Sequence, residues 1–76
     1  MTHGLKKEVC IIGLGYIGLP TAAVLASKGY RVYGVDVSAK AVAAVRKGQV
    51  HIVEPGLQQV VAEAVRSGRL TAAHSP

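Results

Sequence analysis

The chain first turns apolar at Val9 to Ile12, a short unbroken run rich in β-branched residues. Such a run predicts a strand buried on both faces, as in a parallel sheet. The spacing then changes. Leu19, Ala22, Ala23 and Ala26 recur at helical intervals, predicting a helix over residues 16–28 that Gly29 ends. Pro20 falls in its first turn, where a backbone N–H would have no partner in any case. "RVYGVDV", Arg31 to Val37, predicts a second strand with Asp36 at its C-terminal end. Ser38 is a suitable N-cap for a helix at about 39–47, which Gly48 ends. After the connector "QVHIVEPGL", a third helix is expected from Pro55 to Ser67. Its apolar stripe is Leu57, Val60, Val61, Ala64 and Val65, at i, i+3, i+4, i+7 and i+8. Gly68 follows, and "RLTAA", residues 69–73, predicts a third, short strand.

The order β-α-β-α-α-β predicts an α/β fold: a parallel sheet with crossover helices, part of a doubly wound Rossmann unit. All 76 residues fit one small domain, which at this length buries only about 60–65% of its unfolded surface. Half of the residues are apolar, with no Trp, no Phe and three Tyr. Small aliphatics therefore build the core, as close helix-on-sheet packing requires.

Charge alters this picture little. Nine Lys and Arg against four Asp and Glu give a net charge of +5. Lys28, Lys47 and Arg66 fall beside glycines at predicted helix ends, where cations complement the helix dipole. Apart from Lys6-Lys7 there is no basic block, and no aromatic residues interleave with the cations, so no nucleic-acid partner is expected. Residues 9–26 carry no charge and could pass for a signal peptide or membrane span. The defined spacing of Gly13, Gly15, Gly18 and Pro20 instead favours a folded loop. Cys10, the lone cysteine, lies in an apolar run and is expected to be a buried structural thiol; one cysteine allows no internal disulfide. His3, His51 and His74 share no metal-ligand spacing, and Glu8, Glu54 and Glu63 form no pair suited to acid–base work.

The chemistry lies in "IIGLGYIGLP", residues 11–20. Here G-x-G-x-x-G follows a predicted strand and opens a predicted helix. In that setting Gly13 permits the tight turn, Gly15 lets backbone approach a diphosphate, and Gly18 lets helix pack closely on strand. Tyr16 and Ile17 offer backbone N–H groups at a helix N-terminus, a ready anion site. Asp36 lies eighteen residues beyond Gly18 and ends the next strand, placed to accept hydrogen bonds from ribose hydroxyls. Its charge disfavours a 2′-phosphate, so NAD rather than NADP is the expected cofactor. Lys40 could reach the ribose region, although a lysine so placed is more often solvated.

The stretch from Val9 to Ala73 resembles the UDP-glucose/UDP-N-acetylmannosamine 6-dehydrogenase family, through "IIGLGYIGLPTAAVLASKGYRVYGVDV" and "GQVHIVEPGL". The second segment looks most like the UDP-N-acetyl-D-mannosamine branch. The resemblance implies a cytoplasmic enzyme of surface polysaccharide synthesis that oxidises the C6 alcohol of a UDP-sugar to a carboxylate in two NAD-dependent steps. It carries Tyr16, Ile17 and Asp36 over as NAD contacts. Some relatives have Arg or Lys five residues after the acid; Ala41 stands there, with Lys40 one earlier. The family's catalytic cysteine, lysine and asparagine match no position here, and Cys10 is not the nucleophile. The chain is thus expected to be the first part of a Rossmann domain from a longer protein, not catalytic alone. An unpaired edge on the first strand predicts a homo-oligomer. Rival readings are another NAD-dependent dehydrogenase, of 3-hydroxyacyl-CoA or 6-phosphogluconate type, a non-enzymatic nucleotide-binding module, or a fragment that only self-associates.

Overall fold

The computed structural model describes residues 7–75; His3 and Lys6 lie outside them. Six elements follow in the expected order: β1 (Glu8–Ile12), α1 (Gly18–Ser27), β2 (Arg31–Val35), α2 (Ala39–Arg46), α3 (Leu57–Arg66) and β3 (Leu70–Ala73). The strands form one parallel sheet in the order β1-β2-β3. Its register aligns Val9, Val32 and Leu70 in one row and Ile11, Gly34 and Ala72 in another.

Glycine ends all three helices by the same device. The N–H of Gly29 donates to Ala26 and that of Tyr30 to Leu25; Gly48 and Gln49 repeat the pattern on Val45 and Ala44, and Gly68 and Arg69 on Val65 and Ala64. These paired bonds are Schellman motifs, which satisfy carbonyls at a helix end through a residue at positive φ. At the other end of α2, the Ser38 hydroxyl accepts from the Ala41 N–H at 3.2 Å.

Leu14, Leu19, Val32, Val42, Val45, Val61 and Leu70 are fully buried and centre the core between the helices and one sheet face. The other face is open, which corrects the expectation that the Val9–Ile12 strand is buried on both sides. Exposure alternates along β1, and Cys10, Tyr33 and Thr71 share an exposed row. Cys10 is therefore an exposed thiol and not a buried one. The cause is topological. Each parallel crossover steps to the next strand in the same direction, and the shared right hand of such crossovers puts α1, α2 and α3 on one face.

Boundaries also moved. α1 begins at Gly18 because the glycine loop extends through Ile17, and β2 ends at Val35, one residue before Asp36. α3 begins at Leu57 rather than Pro55, since Gly56 takes a left-handed φ of 80° ahead of it. Val60, expected on the buried stripe, is half-exposed, because α3 meets the core through Leu57, Val61 and Ala64.

Candidate functional site

The loop between β1 and α1 is drawn back over the sheet. Gly13 leaves the strand with φ +97°, a left-handed conformation that L side chains rarely adopt. Its N–H donates to the Val35 carbonyl at 2.7 Å, extending the β1–β2 pairing past the last strand residue. At Gly18 the first turn of α1 crosses that same loop. A Cβ there would lie 1.6 Å from the Gly13 carbonyl oxygen, so only a residue without a side chain fits. Gly15 differs from both. Its φ is ordinary and, beyond its chain neighbours, a Cβ would meet no atom of the described residues within 4 Å, so no packing among them explains it.

That open space belongs to a cavity of about 590 Å³ along the free edge of β1, within the range of small-ligand sites. Gly13, Gly15, Tyr16, Ile17 and Gly18 all line it, with Ile12 and Thr21 among its other walls. Ile12, Tyr16 and Ile17 are 72%, 73% and 83% exposed, a concentration of apolar surface around the loop. Among the described residues, no acceptor is found for the N–H groups of Tyr16, Ile17 and Gly18. No side chain caps α1 and no acid stands in its first turn. The unpaired N–H groups and the helix dipole therefore direct partial positive charge outward at this point.

Asp36 does not line the cavity. It meets the loop from the β2 side: its Oδ2 accepts the Leu14 N–H at 2.7 Å and its Oδ1 accepts the Ser38 N–H at 2.8 Å. These two bonds, Leu14 first, hold its carboxyl below the usual carboxylate value, with a smaller contribution from the charge of His51. Asp36 is only partly buried, and each oxygen keeps acceptor capacity for a further donor. Its own N–H donates to the Ala73 carbonyl at 3.1 Å, so β3 steadies the acid from behind. Lys40 and Glu54 are exposed; Glu54 joins the structure through its carbonyl, which accepts the Leu57 N–H.

The structure thus joins all six expected residues in one continuous feature, with Asp36 at one end and the cavity at the other. Two participants were missed from the sequence. The charge of His51, on the α2–α3 connector, lowers the Asp36 carboxyl a little, an effect with no local sequence signal. Leu14, an unnamed x of the glycine motif, supplies the N–H that grips Asp36. One signal pointed to it: a glycine inside a strand, Gly34, often marks a close approach.

Residues 7–75 match the sequence profile of the UDP-glucose/GDP-mannose dehydrogenase family, NAD binding domain. The chain belongs to this family. It is 52% identical over 70 residues to UDP-N-acetyl-D-mannosamine dehydrogenase of Campylobacter jejuni, covering 92% of this chain and 17% of that protein. The enzyme of the same name from Escherichia coli K12 is 52% identical over 68 residues, 90% of this chain and 16% of its own. Among solved structures, the UDP-N-acetyl-mannosamine dehydrogenase Cap5O of Staphylococcus aureus superposes with a TM-score of 0.87 at 42% identity, over 91% of this chain and 17% of that one. A UDP-glucose dehydrogenase from Pyrobaculum islandicum gives 0.89 at 39% identity, over 99% and 17%. The chain therefore spans about a sixth of the family members it matches. NAD is the cofactor of this family domain, and the free space at Gly15 and the unpaired N–H groups beside it suit a diphosphate.

Proposed function

We propose that this chain supplies the first part of the NAD-binding domain of a UDP-N-acetyl-D-mannosamine 6-dehydrogenase, a cytoplasmic enzyme of surface polysaccharide synthesis. The observation that carries the reading is the space over Gly15, beside three N–H groups with no acceptor among the described residues and joined through Leu14 to a partly exposed carboxylate. In this reading the backbone of Gly13, Gly15, Tyr16, Ile17 and Gly18 cradles the diphosphate, and Asp36 takes the adenosine ribose hydroxyls. When bound, NAD would supply the hydride acceptor, one molecule for the sugar alcohol and a second for the aldehyde once water or a nucleophile from elsewhere in the enzyme has added to it. The chain's own residues bind and orient it, and none of them attacks the sugar. The sugar assignment rests on the 52% identity to two enzymes of that name. Residues 1–76 form part of one dinucleotide-binding domain, with no nucleic-acid or membrane partner; among the described residues no helix is long and apolar enough to cross a membrane.

The free edge of β1 and the open sheet face further support self-association of the isolated chain. Sedimentation should give a mass above the 7.9 kDa monomer that rises with concentration. A monomer at every concentration rejects self-association alone.

Calorimetric titration of the purified chain with NAD and NADP, with circular dichroism to confirm folding, tests the cofactor site. Binding that favours NAD supports it, and a folded chain indifferent to both cofactors rejects it for this chain. For the parent protein, two NAD reduced per UDP-N-acetylmannosamine consumed is the expected stoichiometry. Turnover of UDP-glucose in its place would reject the sugar assignment while leaving the cofactor site standing.

A further inference from the structure

Gly34 is the fourth of the five residues of β2, where glycine has no side chain to pack and weakens a strand. Its φ is not left-handed, so the turn chemistry that explains Gly13 does not explain it. What surrounds it does. A Cβ on Gly34 would lie 2.7 Å from Cδ2, 3.0 Å from Cδ1 and 3.3 Å from Cγ of Leu14. All three neighbours belong to one side chain, and that side chain is fully buried. Leu14 therefore descends from the glycine loop onto the bare backbone of β2, and the same residue's N–H grips Asp36 two positions beyond Gly34.

We propose that Gly34 is a positioning residue for the cofactor loop: its missing Cβ makes the socket that seats Leu14, and the seated Leu14 fixes the loop backbone against the Asp36 carboxylate. The inference rests on the cofactor reading for its consequence but not for its geometry. Two neighbouring constraints make the coupling stiff. Before Leu14 the Gly13 N–H is bonded to the Val35 carbonyl, and after it Gly18, at the start of α1, is in contact with the Gly13 carbonyl. If the Leu14 side chain is lifted, the strain falls on the backbone between these two anchors, where the Leu14 N–H and the N–H groups facing the cavity lie. Packed interiors respond to an added methyl by such shifts and not by compression.

The test is a pair of variants of the full chain. Gly34→Ala adds one methyl group to the socket. Gly34→Ala/Leu14→Val adds the same methyl and exchanges the two δ carbons that it would strike for one γ methyl, a net loss of one carbon that leaves volume nearly unchanged. Two readouts are taken: the Asp36 carboxyl titration by carbon NMR, which reports the Leu14 bond directly, and the NAD dissociation constant. Gly34→Ala should raise the Asp36 titration toward the ordinary carboxylate range and weaken NAD binding by about tenfold, since binding must then restore the geometry of the loop and the acid. The double variant should return both. The proposal is overturned if Gly34→Ala leaves the Asp36 titration where it was, or if the double variant does not restore it. Should Gly34→Ala fail to fold, the double variant decides alone: it must fold with Asp36 titrating as in the parent, and anything else rejects the socket. The two readings can fail separately. A titration that moves and returns in a chain that never binds NAD rejects the cofactor site and keeps the socket. Unchanged NAD binding and titration in Gly34→Ala do the reverse.

Discussion

Gly18 and Gly13 are in backbone contact: a Cβ on the first would stand 1.6 Å from the carbonyl oxygen of the second. No rotamer relieves an overlap with backbone, so Gly18→Ala must push α1 off the loop. The expected cost is at least the ~1–3 kcal/mol of an overpacked core. In a domain of this size each ~1 kcal/mol lowers Tm by about 4–8 °C. Thermal melts should show that fall together with loss of NAD binding. A variant as stable as the parent would contradict the contact.

Gly15 should separate binding from stability. Alanine fits its backbone and meets no protein atom. Gly15→Ala should therefore leave Tm unchanged or raise it slightly, since alanine restricts the unfolded chain by ~0.4–1 kcal/mol. The methyl group would stand in the space assigned to the diphosphate, so NAD affinity should fall. Paired melts and calorimetry check this, and a fall in Tm with intact affinity would reverse the assignment.

Asp36 predicts an acid limb in the stability profile. Its carboxyl is lowered in the folded chain from an ordinary value of 3.8, first by the Leu14 N–H and then by the Ser38 N–H. A lowered group stabilises the fold above its unfolded value and loses that contribution as pH falls through the folded value. Stability from this residue should be level above about pH 5 and decline below 3.8. Asp36→Asn should be less stable than the parent at pH 7, and the gap should narrow as pH falls below 3.8. A gap independent of pH would mean that the carboxylate charge contributes nothing.

The same residue governs cofactor choice in the proposed site. Asp36→Ser removes the charge that repels a 2′-phosphate, so the ratio of NAD to NADP affinity should drop, by weaker NAD binding, stronger NADP binding or both. Competition titrations measure the ratio, and an unchanged preference would place the ribose elsewhere.

Cys10 gives a direct check on the open sheet face. As an exposed thiol it should react with an aromatic disulfide reagent in the folded chain, without denaturant, at low protein concentration. Reaction only after unfolding would mean that this face is covered in solution.

What the sequence determined by itself is local. Three glycines at helix ends, Ser38 before α2, the spacing of Gly13, Gly15 and Gly18, and an acid eighteen residues further on are requirements of short backbone stretches, and each is met where its residue stands. The order of elements followed from the same marks. Tertiary structure decided what depends on distant neighbours. An unbroken apolar run such as Val9–Ile12 has the same composition whether one or both faces are covered. Only the strand order β1-β2-β3, with all crossovers on one side, left Cys10 in solvent. Gly34 shows the same limit: a glycine in a strand names no partner, and Leu14 lies twenty residues earlier. The chain had to fold before Leu14 could reach the socket, and before the Leu14 N–H could bring the glycine loop and Asp36 into one site.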